Sequence, residues 1–100
     1  MSPRIPIDRE RIAEFCRRWG IREFSLFGSV LRDDFRPDSD VDVLVALDPA
    51  SQRNLDDWLR MEEELGSLLG HRVDLVEKSG LRNPFRRHSI LRSRQVVYAA

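Results

Sequence analysis

The chain has one cysteine, two histidines, a single lysine and one tyrosine in 100 residues. A lone cysteine excludes an internal disulfide, and Cys16 falls on the apolar face of a predicted helix, where a buried free thiol is expected. So little histidine and cysteine, dispersed, argues against a zinc site. Net charge is also missing: seventeen acidic and seventeen basic side chains cancel. That excludes a domain held on nucleic acid by bulk charge, and there is no strong nucleic-acid signal. No run approaches 18 apolar residues, and the N-terminus has no signal-peptide pattern, so no membrane span and a cytoplasmic location are expected. Repeats, low-complexity tracts and long linkers are lacking as well.

What is present fits one domain over residues 1–100, with 41% apolar and 34% charged residues. The charges are unevenly spread. Five of ten aspartates lie between Asp33 and Asp42, sixteen of seventeen cations are arginine, and Arg82, Arg86, Arg87, Arg92 and Arg94 crowd the C-terminal part, where a solvated face is expected.

Asp8 can cap a helix to about Trp19, with Ile12, Phe15, Cys16 and Trp19 on one face and Gly20 ending it. Met1 to Pro6 reads as a loose arm. A strand around Phe24 and Leu26 breaks at Gly28-Ser29, and Val30 to Phe35 reads as a short helix or turn. Val41 to Leu47 alternates as a second strand. Asn54 can cap a helix from Leu55 to Leu69, with Leu55, Trp58, Leu59, Leu65, Leu68 and Leu69 as its apolar side and Glu62 to Glu64 mostly solvated. Arg72 to Val76 reads as a central third strand, Asn83-Pro84 opens a helix to about Leu91, and Gln95 to Tyr98 is a final strand. The fold class is therefore α/β (α+β): a small mixed sheet with helices mainly on one face, in the order αβαβαβαβ.

The chemistry is concentrated in Ser39-Asp40-Val41-Asp42. Residues i and i+2 of a strand point the same way, roughly 6.6 Å apart, so Asp40 and Asp42 converge on one face. Such a pair repels unless a cation neutralises it, and oxygen-only ligands favour magnesium or manganese. Asp-x-Asp alone is commonly a solvated turn. Asp74, inside the apolar Val73-Asp74-Leu75-Val76, strengthens the case, because three carboxylates can hold two metal ions about 3.5–4 Å apart for in-line displacement at phosphorus. Gly28-Ser29, between a strand and a short helix, offers close backbone approach and free N–H groups to a phosphate. Arg32 either reaches a phosphate or pairs with Asp33 or Asp34.

The segment Phe27-Gly28-Ser29-Val30-Leu31-Arg32 through Asp38-Ser39-Asp40-Val41-Asp42-Val43-Leu44-Val45 resembles the signature of the polymerase-β-like nucleotidyltransferase superfamily, especially the minimal nucleotidyltransferases. The resemblance spans nearly the whole chain. It implies that Asp40 and Asp42 ligate two magnesium ions, that Asp74 completes the catalytic metal site and helps deprotonate the attacking hydroxyl, and that Gly28 and Ser29 hold the triphosphate of ATP. One position departs from the pattern: Asp33 stands where many members have glycine. The resemblance further implies an antitoxin that transfers AMP to a tyrosine of a partner HEPN ribonuclease toxin. A chain this small has no evident acceptor-binding domain, so another protein is expected to finish the site, and a homo- or hetero-oligomer is an open expectation. Two alternatives remain at this level, a catalytically silent antitoxin that acts by binding alone and a small-molecule nucleotidyltransferase.

Overall fold

The computed structural model describes residues 3–51 and 53–100. The described elements are α1 (Arg9–Trp19), β1 (Ile21–Phe27), a 3-10 turn (Gly28–Leu31), β2 (Val41–Leu47), α2 (Leu55–Leu69), β3 (Val73–Glu77), a second 3-10 turn (Lys78–Gly80), α3 (Pro84–Ser93) and β4 (Gln95–Ala99). Local chemistry sets most of these bounds. The Asp8 side chain accepts from Arg11 N, and Gly20 closes α1 at φ 70°, a left-handed conformation glycine adopts without Cβ strain. Asn54 and Asp57 form a reciprocal capping box on α2. Asn83 accepts from Phe85 N and Arg86 N, with Pro84 at the first helical position of α3.

The four strands form one mixed sheet in the order β3-β2-β1-β4. β1 runs antiparallel to β2 and β4, whereas β2 and β3 are parallel, with α2 as the crossover that a parallel pair requires. β2 shows how the sheet divides the core. Val41, Val43 and Val45 join Ile12, Phe15, Phe24, Leu26, Met61 and Leu65 on the face covered by α1 and α2. Leu44 points the other way, into a smaller cluster with Phe27, Leu81 and Ile90 beneath α3. Two of the three α-helices thus share a face, and α3 alone covers part of the other. Among the described residues, no helix is long and apolar enough to cross a membrane.

Several expectations change. The N-terminal arm is docked: Arg4 N donates to Val30 O at 2.8 Å and Ile5 is buried, while Met1 and Ser2 lie outside the described residues. β3 is an edge strand, not a central one, so Asp74 is exposed. Leu55 and Leu59 are 71% and 53% exposed, and Met61 is fully buried in their stead. Leu55 sits in the first turn, and Leu59 is one residue off the Trp58, Met61, Leu65 stripe that meets the sheet. Glu64 is not simply solvated, since it pairs with Arg18 and accepts from Trp19 Nε1 at 2.9 Å. Glu62 accepts weakly from Leu75 N at 3.4 Å. The short helix or turn expected over Val30 to Phe35 is present but starts earlier, as the 3-10 turn at Gly28–Leu31, with Arg32 already extended.

Candidate active site

The strand register assembles the site. Asp42 lies opposite Phe27 of β1 on one side and in register with Asp74 of β3 on the other. Side chains in register on parallel strands share a face, and neighbouring strands are about 4.8 Å apart, so Asp42 and Asp74 stand side by side. Asp40, just before β2, is exposed, with its Oδ1 3.9 Å from Arg72 Nε. Val41 N donates to Arg72 O at 2.8 Å, which joins the entries to β2 and β3. The three sequence-predicted aspartates therefore meet at one end of two adjacent strands, on the sheet face shared with α3.

Electrostatics report the same proximity. Burial pushes the Asp42 carboxyl above its ordinary value, the charges of Asp74 and Asp40 push it further, and Arg32 and Arg86 oppose them. Among the described residues, no three His, Cys, Asp or Glu side chains close into one ligating group as they stand. The register supplies the adjacency of Asp42 and Asp74. The donor set itself suits a hard divalent cation, being oxygen-only. Cys16 is buried in the core under α1, its thiol pushed up to about 12 by burial, and the His71 ring packs against Phe35 with centroids 5.4 Å apart. Neither offers a soft ligand here.

Gly28 is pressed onto the acidic group. Its φ is 75°, and a Cβ there would collide with Asp42 Oδ2. Glycine is thus required twice over, by backbone conformation and by space. Ser29, half-buried, follows in the 3-10 turn. Arg32 is exposed and its Nε contacts Asp34 Oδ1 at 3.2 Å, so the ion-pair alternative holds in this structure while its charge still acts on Asp42. Asp33 pairs with Arg4. No described non-glycine residue has positive φ, so aspartate replaces glycine at position 33 without left-handed strain.

Two residues of α3 lie on the side facing the site and were not singled out in the sequence as site residues. Arg86 projects its charge toward Asp42, and Ser93 lines a cavity of about 150 Å³ with Gly28, Leu31 and Arg32. The available signal was their spacing: Arg86, Ile90 and Ser93 fall at i, i+4 and i+7, one helical face. A larger cavity, about 620 Å³, lies between α2 and the start of β3. It is an open trough lined by Glu62, Glu63, His71 and Arg72, the last of which also stands 3.9 Å from Asp40.

A four-stranded mixed sheet with in-register aspartates beside a glycine-led 3-10 turn has the layout of a nucleotidyltransferase fold. Residues 9–97 match the family model described as nucleotidyltransferase domain, and the chain belongs to that family. It is 41% identical over 85 residues to the protein adenylyltransferase MntA of Thermococcus cleftensis, covering 85% of this chain and 81% of that one. It is similar to a solved structure described as a minimal nucleotidyltransferase, with 42% identity, a TM-score of 0.70, and coverage of 87% of this chain and 86% of that one. A more distant solved structure shares the fold at 21% identity and a TM-score of 0.62, covering 92% of this chain and 70% of that one. It holds a tri-AMPylated Shewanella oneidensis HEPN toxin in complex with its MNT antitoxin.

Proposed function

We propose that this chain is a magnesium-dependent protein adenylyltransferase and the antitoxin of a toxin–antitoxin pair, moving AMP from ATP onto a tyrosine hydroxyl of a partner HEPN ribonuclease. The observation that carries the chemistry is the register of Asp42 with Asp74 across β2 and β3, beside Gly28. The 41% identity to a protein adenylyltransferase supports the reaction class, and the AMPylated HEPN toxin held by a fold relative supports the acceptor. The reading takes residues 1–100 as one nucleotidyltransferase domain acting in the cytoplasm.

Asp40, Asp42 and Asp74 are the groups that would hold magnesium, as two ions. Bound there, the metal supplies charge neutralisation and a lowered pKa for the attacking hydroxyl. The turn at Gly28-Ser29 receives the triphosphate through its free N–H groups, beside the Asp42 carboxylate, and the Ser29 hydroxyl offers a further donor. Arg32 adds a cation at the edge of the same turn. The tyrosine oxygen forms a bond to the α-phosphorus as the bond to the β-phosphate bridging oxygen breaks. The electron pair leaves with pyrophosphate, and the hydroxyl proton passes to an Asp74 carboxylate oxygen. The carboxylate face is open, so the acceptor surface of the partner would complete the site.

The test is incubation with labelled ATP, magnesium and the partner HEPN protein, read by mass spectrometry for added AMP on tyrosine. Wild type is expected to transfer AMP and Asp42→Asn to lose at least about a hundredfold in rate. Absence of any AMP on the partner would end the reading. Loss of transfer with full toxin neutralisation by Asp42→Asn would show that binding alone carries the biology.

A further inference from the structure

The segment before α1 reads as a loose arm in the sequence, and the structure ties it to one place. Ile5 is buried in the same core cluster as Val30 and Leu31, which anchors the arm. Its neighbour Arg4 turns both backbone and side chain onto the end of the Gly28–Leu31 turn. Arg4 N donates to Val30 O at 2.8 Å, Arg4 Nε donates to Arg32 O at 3.2 Å, and the guanidinium pairs with Asp33. One residue of the arm thus holds positions 30, 32 and 33 together.

The turn does little to hold itself. Its closing bond runs from Arg32 N to Ser29 O at 2.9 Å, and Phe35 N reaches Arg32 O at only 3.4 Å. A single 3-10 turn has poor hydrogen-bond geometry and little stability of its own. Among the described residues, none outside 28–35 other than Arg4 hydrogen-bonds to positions 30–33. At its first residue the turn is fixed by β1 and by the closeness of Gly28 to Asp42; at its end it is fixed by Arg4.

Fold stability does not account for this contact. The Asp33 side chain is 94% exposed and that of Arg4 45%, and a pair so open to water adds little. What it does fix is direction. With Nε on Arg32 O and the fork on Asp33, the planar guanidinium takes one orientation and the chain from Val30 to Asp33 takes one path. Donors ordered before an anion arrives bind it more tightly than donors that must be ordered by it.

We propose that Arg4 is a positioning residue for nucleotide binding, holding from the N-terminal arm the end of the turn whose N–H groups receive the triphosphate, with Asp33 as its anchor. Arg4 itself acts through the turn and not on the nucleotide. The inference rests on the nucleotidyl-transfer reading and adds a strap from outside the site to it.

The test compares wild type with Arg4→Ala, Arg4→Lys, Asp33→Asn and the double variant Arg4→Ala/Asp33→Asn. Asn54→Ala, at the α2 cap, controls for a general loss of stability. Calorimetry measures binding of α,β-methylene-ATP with magnesium, hydrogen exchange reads residues 29–35, and steady-state transfer to the HEPN partner separates KM for ATP from kcat. Arg4→Ala is expected to bind the analogue about fivefold more weakly and to raise KM by a like factor, with kcat within about twofold of wild type. Exchange at 29–35 should accelerate while α2 keeps its protection. Asp33→Asn should weaken binding by about twofold, and the double variant no more than Arg4→Ala alone. Arg4→Lys should fall between wild type and Arg4→Ala, since an ammonium lacks the fork that meets Arg32 O and Asp33 together. Unchanged analogue affinity in Arg4→Ala overturns the proposal, even where kcat falls, because the arm then serves the acceptor. Equal weakening by Asn54→Ala overturns it too, because affinity then tracks stability. A wild type that binds and transfers while Arg4→Ala matches it sinks the role of Arg4 alone. A wild type that neither binds the analogue nor transfers AMP sinks the underlying reading and this role with it.

Discussion

At Asp42, burial and two like charges oppose two arginines, and burial with repulsion wins: the carboxyl holds its proton more tightly than its ordinary value of 3.8 allows. In metal-free protein the folded state therefore binds this proton more tightly than the unfolded state does. That stabilisation is complete below the unfolded pKa and is lost as pH rises through the raised folded one. At pH 7 an ionised Asp42 works against folding. Asp42→Asn in EDTA is accordingly expected to melt at or slightly above the wild-type temperature, although it loses transfer. A fall of several degrees by differential scanning calorimetry would mean that the carboxylate supports the fold instead. At this scale the sequence was legible where chemistry is local: Asp40 and Asp42 share a face by strand period alone, and Gly28 follows a strand. It left Arg32 open between a phosphate, Asp33 and Asp34, because the contact with Asp34 depends on the path of the turn, and it was silent about the closeness of Gly28 to Asp42.

α3 owes its place less to amphipathicity than to its two ends and one anchor. Its apolar residues do not make a broad stripe; Ile90 is the fully buried one, and Phe85 is 85% exposed. A helix with so little burial leans on its cap. Replacing Asn83 with alanine removes the acceptor for two N–H groups and is expected to cost about 1 kcal/mol, a factor of about five in local opening. Hydrogen exchange at residues 84–87 should accelerate accordingly, and nucleotide affinity should fall with it. The matching change Asn54→Ala at the α2 cap should cost a similar amount and leave nucleotide affinity unchanged. Uniform acceleration across the chain in Asn83→Ala would show that α3 does not open on its own. The bounds of α1, β2 and α2 were legible because caps, glycines and alternation are sequence-local. The edge position of β3 was not, because an apolar run of four or five residues reads alike at a sheet's edge and centre.

For the whole molecule, the proposed magnesium site at Asp40, Asp42 and Asp74 would make cation binding a stabilising event. A ligand at a hundred times its dissociation constant adds about 2.7 kcal/mol to the folded state. For a chain of this size, magnesium with α,β-methylene-ATP should raise Tm by on the order of 10 °C. Asp42→Asn and Asp74→Asn should each remove most of that rise. A shift that survives both substitutions would place the cation elsewhere.

The amino-acid sequence by itself determined the caps, the periodicity of each element, the paired carboxylates before and within β2, and the glycine that a phosphate can approach. These follow from interactions within a few residues. Only the tertiary structure decided that β3 pairs parallel to β2 with Asp74 opposite Asp42, and that α3 packs by Ile90 on the sheet face that bears them. Strand partner and register are set by burying both faces of a sheet at once, and that constraint is not contained in the period of any single segment.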